Sequence, residues 1–154
     1  MSNFSQANLI STEVIPVVMA IIYRDDKYLM QLRDDIPHIA YPGVWGFFGG
    51  HLEPGESPEV GLKRELVEEI NYLPQTLTKF RTVRGGNYLR HLFSCPLTVP
   101  VAQLELNEGW DLKLLTVEEI IQGHAYSARA IANKAVGAIH RQIMLDFIDD
   151  ISQN

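Results

Sequence analysis

The sequence predicts a mixed-sheet α/β or α+β sandwich in a single domain. The chain has 154 residues and shows no repeat, low-complexity segment or linker, which favours one domain over residues 1–154. Its predicted elements run strand, helix, strand, helix, with hairpins between neighbouring strands. That order is typical of helices packed on a mixed sheet rather than of a regular βαβ repeat.

The first predicted element is a β-hairpin. Two β-rich runs, residues 14–23 and 28–33, flank the polar turn at residues 24–27. The first run is apolar almost throughout, which indicates a strand buried on both faces. After a loop punctuated by prolines, residues 45–48 predict a short strand that ends at Gly49-Gly50.

A helix is predicted to begin after Ser57. Ser57 can accept a hydrogen bond from a free backbone N–H, and Pro58 suits the first helical position. The apolar residues that follow have helical spacing: Leu62, Leu66, Val67 and Ile70. Asn71 is then expected to end the helix in a left-handed conformation.

The second half of the chain is predicted to contain four strands, at residues 76–84, 87–95, 99–106 and 110–115. Thr116 and Glu119 form a capping box before a short helix. The tail from about residue 127 to 151 is predicted to be one amphipathic helix. Its apolar positions are Ile131, Ala135, Ile139, Ile143 and Phe147.

Charge and composition exclude several classes of partner. The formal net charge is −6, so neither a long nucleic acid nor an anionic membrane is an expected partner. Cys95 is the only cysteine, which fits a reducing compartment. The first ten residues lack the features of a signal peptide, and the longest apolar run is far shorter than the roughly 20 residues of a membrane helix. We therefore expect a cytoplasmic protein.

The predicted helix carries Glu65, Glu68 and Glu69 at i, i+3 and i+4, so their carboxylates share one face. One interpretation is a solvated acidic face in which Arg64 pairs with Glu68. The other is a site for a hard divalent cation such as Mg²⁺, which prefers oxygen ligands and binds one or two carboxylates together with substrate phosphates.

Residues 50–72 resemble the Nudix box, Gly-x5-Glu-x7-Arg-Glu-U-x-Glu-Glu-x-Gly-U, in which U is a bulky aliphatic residue. The matching positions are Gly50, Glu56, Arg64, Glu65, Leu66, Glu68 and Glu69. Asn71 replaces the glycine of the box and Tyr72 its last aliphatic residue. Gly61 lies inside the helix, where close packing is one explanation. The resemblance fades after about residue 95.

The resemblance implies a Nudix-type α/β/α sandwich with a mixed sheet, one catalytic helix and a C-terminal helix. It implies hydrolysis of a nucleoside diphosphate linked to another group, such as a dinucleoside polyphosphate, a nucleoside triphosphate or a nucleotide sugar. The expected cofactor is Mg²⁺, with Mn²⁺ as an alternative. The implied metal ligands are Glu65, Glu68, Glu69 and the carbonyl of Gly49, while Glu56 pairs with Arg64 and orients the helix.

The general base and the substrate contacts are less closely defined. Glu65 is the first choice of base, and Glu105 and Glu108 are its rivals. The residues considered for substrate binding are Arg33, Arg84, Tyr88 and Glu108, with Arg81 and Arg90 as further phosphate candidates. Trp45, Phe47, Phe93 and Trp110 either stack on a base or pack in the core. Tyr88 stands where family members that act on dinucleoside polyphosphates often have tyrosine.

Two further alternatives stay open. The chain is either an enzyme acting on a small nucleotide or a catalytically inactive Nudix fold that senses a nucleotide. The complete set of glutamates favours the enzyme. Dimers are common in the family, so the resemblance leaves both a monomer and a homodimer as expected states.

Overall fold

The structure is a computed structural model that describes residues 13–39 and 41–153. The first ten residues, which were considered above for a signal peptide, lie outside the described part. Within that part the chain forms one large mixed sheet with helices on both faces, and a separate two-stranded sheet. The predicted fold class is confirmed.

The large sheet has seven strands within the described residues. They are β1 (Ile15–Arg24), β2 (Lys27–Leu32), β3 (Trp45–Gly46), β4 (Phe48–His51), β5 (Thr78–Gly85), β6 (Tyr88–Pro96) and β7 (Asp111–Leu115). The main strand order is β3-β2-β1-β6-β5; β4 pairs with β1, and β7 pairs with β2. Only β1 and β6 are parallel neighbours; the other pairs are antiparallel.

Strand β1 is long enough to serve two partners along one edge. Its first half, Val17 to Ala20, pairs with β4, and its last residues pair with β2. The single strand predicted at residues 45–48 is therefore two short strands, because β3 joins β2 and β4 joins β1. This division brings the Gly49-Gly50 segment to the middle of the sheet.

Each face of the sheet is covered by helices. Helix α1 (Pro58–Ile70) packs Leu62, Leu66 and Ile70 onto one face. Helix α2 (Val117–Gln122) and helix α3 (Ala138–Ser152) cover the other face, where Ile143 and Phe147 are buried. The two core clusters share no residue, because alternate residues of a strand point to opposite faces.

The prediction of a strand at residues 99–106 is wrong. The segment contains a short 3-10 turn (Val101–Gln103) and otherwise irregular backbone. Its apolar residues do pack against the core, but the backbone runs across the C-terminal end of α1 instead of along the sheet. The amide of Glu105 donates to the carbonyl of Ile70, and that of Asn107 donates to the carbonyl of Glu69.

The prediction of one long C-terminal helix is also partly wrong. A hairpin of β8 (His124–Ser127) and β9 (Ala132–Ala135) runs into the first third of the predicted helix, and only Ala138–Ser152 is helical. Ile131, predicted on the buried face, lies in the turn with φ 54° and is 78% exposed. Alanine-rich sequence favours helix locally, but tertiary contacts override that preference. The Trp45 indole donates to the carbonyl of Ala125, and the carbonyl of Trp45 accepts from the amide of Gly137.

None of the described helices has the length and apolar character needed to cross a membrane.

Candidate active site

The site begins at the end of β4, where two glycines allow very close approach. Gly49 has φ 147°, and a Cβ there would lie 2.0 Å from the carbonyl oxygen of Val18. At Gly50, a Cβ would lie 2.6 Å from the Oε1 atom of Glu65. The Glu65 carboxylate therefore rests directly on the backbone of the loop, which no larger residue at position 50 would permit.

Local signals fix the ends of α1 as predicted. The Ser57 hydroxyl accepts from the amide of Val60, and Asn71 is left-handed with φ 54°. Gly61 is buried, and a Cβ there would lie 2.3 Å from the Cδ2 atom of Leu52. Close packing against the loop thus explains a glycine that costs helix propensity. These features set the helix against the β4 loop in one register.

Arg64 ties the helix to that loop. Its Nε and Nη2 atoms donate to the two oxygens of Glu56 at 2.7 and 2.9 Å, a bidentate pair, and Nη2 also donates to the carbonyl of His51 at 3.2 Å. Hydrogen bonding from Arg64 lowers the pKa of Glu56 to about 2. Nη1 donates to Glu65 at 3.1 Å and to Glu68 at 3.4 Å. The predicted pairing of Glu56 with Arg64 is therefore present.

Glu69 is the buried carboxyl of the site, with only 2% of its surface exposed. Burial raises its pKa well above the usual range of a carboxyl group, and the Glu65 carboxyl beside it acts in the same direction. The amide of Gly49 donates to Oε1 of Glu69 at 3.2 Å, and the Gln31 amide donates to Oε2 at 3.4 Å. Two carboxyls held this close in a buried place need a proton or a cation between them.

That chemistry fits a hard divalent cation, although the three glutamates are not equivalent. Glu65 and Glu69 adjoin each other, whereas the Glu68 side chain is 60% exposed and turned toward Arg64. Within residues 13–39 and 41–153, no three acidic, histidine or cysteine side chains converge as a metal site. The carboxylate pair supplies oxygen ligands of the kind that Mg²⁺ prefers. The Gly49 contact that the structure shows is through its amide, so the carbonyl ligand stays a prediction.

A cavity of about 270 Å³ extends from Gly49, Gly50 and Glu65 along the β1 and β6 strands. Of the predicted substrate contacts, the structure brings Arg33, Tyr88 and Glu108 to this cavity. Arg84 lies outside it. Val83 pairs with Arg90, a lining residue, so Arg84 points to the opposite face of the sheet.

Other candidates are separated by their positions. Glu108 lines the cavity, but Glu105 does not, so Glu108 is the better placed rival of Glu65. Trp45 is fully buried in the core, and so is Phe93 apart from 3% of its surface, whereas Phe47 lines the cavity. Trp110 packs at the edge of the core under Lys134. Arg81 lies near Asp146 and Asp150 of α3, away from the cavity.

The cavity is also lined by three residues that were not predicted as site residues, Tyr41, His51 and His140. His140 is 3% exposed, and its Nδ1 atom accepts from the amide of Phe47 at 3.3 Å. Burial lowers the pKa of His140 to about 4, with the charges of Arg33 and Arg90 acting the same way. The available signal was a histidine on the apolar side of the predicted C-terminal helix, one residue after Ile139 and three before Ile143.

A family model described as NUDIX domain matches residues 14–135, well over half of the chain. The CTP pyrophosphohydrolase of Escherichia coli strain K12 is 47% identical over 58 residues, which are 38% of this chain and 42% of that protein. Nucleoside triphosphatase NudI of E. coli O1:K1 is 40% identical over 55 residues, 35% of this chain and 38% of that protein. The chain thus spans about two fifths of the length of these curated relatives.

Solved structures extend the likeness to most of the chain. A NUDIX hydrolase from Nitrosomonas europaea is 26% identical, with a TM-score of 0.61, and the match covers 90% of each chain. The prediction that the resemblance fades after about residue 95 is wrong, because the family model continues to residue 135 and this structural match covers 90% of the chain. The shared architecture therefore includes the sheet and helices that surround the cavity.

Proposed function

Because this chain belongs to the Nudix family, we propose that it hydrolyses a pyrophosphate bond in a nucleoside diphosphate linked to another group, with Mg²⁺ or Mn²⁺ as cofactor. Membership of the family confirms the resemblance stated from the residues of the box. The observation that carries the proposal is the buried Glu69 carboxyl beside Glu65, at the mouth of a cavity of about 270 Å³.

The residues of the box have separate tasks in this proposal. Glu65 and Glu69 would hold the cation, and Glu68 would be a third ligand if its side chain turned away from Arg64. When bound, the cation neutralises the pyrophosphate and lowers the pKa of a bound water. Arg64 and Glu56 hold the helix against the β4 loop, so that Gly49 and Gly50 stay beside the carboxylates. Glu65 or Glu108 takes the proton of the attacking water, because both line the cavity.

Nucleoside triphosphates are the first substrates that we propose to test. The two curated relatives are named for the hydrolysis of CTP and of nucleoside triphosphates, and both matches support this order. The cavity suits one nucleotide, because small-molecule sites of a few hundred Å³ bury most of such a ligand. Dinucleoside polyphosphates, which the position of Tyr88 favours, and nucleotide sugars complete the panel.

The experiment is a panel of these compounds with Mg²⁺ and with Mn²⁺, scored by release of phosphate-containing products. Reaction in ¹⁸O-labelled water, followed by mass spectrometry, identifies the phosphorus that is attacked. Hydrolysis of one class that stops with EDTA supports the proposal. Tight binding by calorimetry without turnover of any compound would instead favour the alternative, a nucleotide-sensing module.

A further inference from the structure

Two buried polar atoms at the cavity lack a hydrogen-bond partner. Among the buried side-chain nitrogen and oxygen atoms of the described residues, only Nε of Arg90 and Nε2 of His140 are without one. Both side chains line the same cavity. Buried polar groups nearly always have partners, so an unpaired group in a native structure calls for an explanation. Each atom has less than 1 Å² of accessible surface, so the explanation that fits their shared location is a ligand that displaces the neighbouring Tyr41 side chain and completes the site.

Of these two residues, Arg90 is the stronger indication of a ligand, because its side chain carries a buried charge. It is 4% exposed, and no carboxylate of the described residues forms an ion pair with it. Its Nη1 atom donates to the carbonyl of Gly85 and its Nη2 atom to the hydroxyl of Tyr41, both at 3.4 Å. These contacts are long for N–H···O bonds, so a ligand acceptor can replace them at little cost.

The Arg90 guanidinium lies on the side of the cavity away from the β4 loop that carries Gly49 and Gly50. Arg90 pairs with Val17, which pairs in turn with His51, so the α-carbons of Arg90 and His51 are about 10 Å apart across two strand spacings. The side chain extends farther away, toward Gly85 on β5. A pyrophosphate held at Glu65 and Glu69 therefore leaves Arg90 to contact another part of the nucleotide.

The surroundings of Arg90 suit a flat heterocycle. Its guanidinium lies 5.3 Å from the ring centre of Tyr88, and the Tyr41 ring meets His140 edge to face at 5.2 Å. His140 accepts from a backbone amide through Nδ1, so its neutral form carries its proton on Nε2. The walls of this end are therefore aromatic, and its side-chain nitrogens next to the cavity offer donors.

We propose that Arg90 reads the base of the nucleotide and selects bases that present two adjacent hydrogen-bond acceptors. The N–H groups of Nε and Nη2 are parallel donors, a fork that fits two neighbouring acceptors at once. Guanine offers such a pair at O6 and N7, whereas adenine pairs an acceptor with a donor amine there. Cytosine offers O2 and N3, whereas N3 of uracil carries a proton. This inference rests on the proposed function, because it assumes that a nucleotide occupies the cavity.

The first test measures binding without hydrolysis. Calorimetry with the monophosphates CMP, GMP, UMP and AMP is expected to show CMP and GMP bound about 10- to 100-fold more tightly than the other two, the range for one bidentate contact. Arg90→Lys keeps the charge, loses the fork and should abolish the difference. The matched control is Arg129→Lys, since Arg129 is exposed on the β8–β9 hairpin and should leave the preference unchanged.

The second test uses the unaltered protein, so that it does not depend on the folding of a variant. Replacing one acceptor of the base, with 7-deaza-GMP or 3-deaza-CMP, should weaken binding about tenfold or more, since one half of the bidentate contact is lost. Equal binding of all four monophosphates, or no effect of the deaza changes, would overturn the assignment. So would an equal loss of CMP, UMP and inorganic pyrophosphate in Arg90→Lys, because Arg90 would then contact phosphate.

These outcomes are separable from those of the proposed function. A preference for CMP and GMP without turnover of any triphosphate would retain the role of Arg90 and reject hydrolysis. Metal-dependent hydrolysis of all four triphosphates with equal kcat/KM, and no preference in binding, would retain hydrolysis and reject the role of Arg90.

Discussion

The two ends of the cavity differ in charge and in how the chain supplies them. The carboxylate end comes mainly from one stretch, Gly49 to Glu69, which carries the Glu65–Glu69 pair, and a later loop adds Glu108. The base end combines Arg33, Tyr41, Arg90 and His140, which come from distant parts of the chain. One end is acidic and needs a cation before it can hold a phosphate. The other end is cationic and aromatic, so it can bind the hydrogen-bond acceptors of a ligand without a metal ion.

This difference between the two ends implies that the carboxylate end determines turnover and the base end determines which nucleotide is preferred. The β4 loop and α1 are adjacent in sequence and are joined by Arg64, and under the proposed function this end contacts the pyrophosphate that all the candidate substrates share. The base end depends on how β2, β6 and α3 pack together, so small changes in packing alter its shape. Variants of the carboxylate end are therefore expected to lower turnover of every substrate, and variants of the base end to change the ranking of substrates.

The largest effect is expected for Glu69→Gln. Glutamine keeps the hydrogen bond from Gly49 but cannot carry the negative charge that holds a cation, so kcat should fall by about 10²–10³-fold, as when a charge-stabilising group is removed from a reacting centre. The assay is steady-state hydrolysis of the best substrate of the panel. Glu59→Gln, an exposed change in the first turn of the same helix, is the matched control. Full activity in Glu69→Gln would remove this residue from the mechanism.

The base end is expected to control stability at acid pH through His140. Its pKa is about 4 in the folded chain and about 6.5 when unfolded, so the unfolded chain binds more protons between these values. The contribution of neutral His140 to the free energy of unfolding is therefore fully present above pH 6.5. It is lost as the pH drops toward 4, by up to about 3 kcal/mol. Arg33 and Arg90 face the imidazole and oppose its protonation, while Tyr41 packs against it without charge.

Denaturant unfolding at pH 7, 6, 5 and 4 measures this loss. His140→Gln should show a flatter profile than the unaltered protein, although it is less stable at pH 7. His124→Gln, at an exposed position of β8, should keep the original slope. Parallel profiles for all three proteins would mean that other groups cause the acid sensitivity.

The next effect is the response of the melting temperature to Mg²⁺. A cation present at about 100 times its Kd stabilises the folded state by about 2.7 kcal/mol, which corresponds to a rise of about 5–10 °C for a chain of this size. Glu65→Gln and Glu69→Gln should each reduce the rise, because each removes a charge from the pair. Scanning fluorimetry in EDTA and in increasing Mg²⁺ measures it, with Glu59→Gln as control. An unchanged rise in both variants would place the cation elsewhere.

Sequence alone predicted the carboxylate end because its signals are local. A cap at Ser57, a left-handed stop at Asn71 and glutamates at helical spacing act within a few residues of one another, and the structure reproduces the cap and the stop. The register of β1 with β6 and the packing of α3 depend on contacts far apart along the chain. Neither the cavity wall at His140 nor the burial of Arg90 could be read from local patterns.

The two wrong elements have the same cause. Residues 99–106 have apolar residues that do reach the core, but two backbone amides of this region are taken by the end of α1 rather than by a strand. In the C-terminal region, the helical spacing of apolar residues continues through a hairpin that Trp45 anchors by hydrogen bonds. In both places a distant partner decides the backbone, and a short window of sequence does not contain that partner.

The smallest of the expected effects tests whether the carboxylate end acts as a unit. Arg64→Lys keeps a positive charge but cannot make the bidentate contact to Glu56 together with the contact to the His51 carbonyl. The helix should then hold its carboxylates less well against the Gly49-Gly50 loop, and kcat should fall about 10- to 100-fold, as is typical for residues that orient metal ligands. The apparent affinity for Mg²⁺ should fall with it, measured by titrating activity and melting temperature with the ion.

The ranking of substrates separates this variant from those of the base end. Because Arg64 contacts only box residues and the loop, its loss should lower hydrolysis of every nucleotide by the same factor. Lys63→Arg, at the neighbouring helix position, is the control for a change of cation type. If Arg64→Lys alters the preference among bases, the two ends are coupled through β4 and β1, and the separation of turnover from selectivity fails.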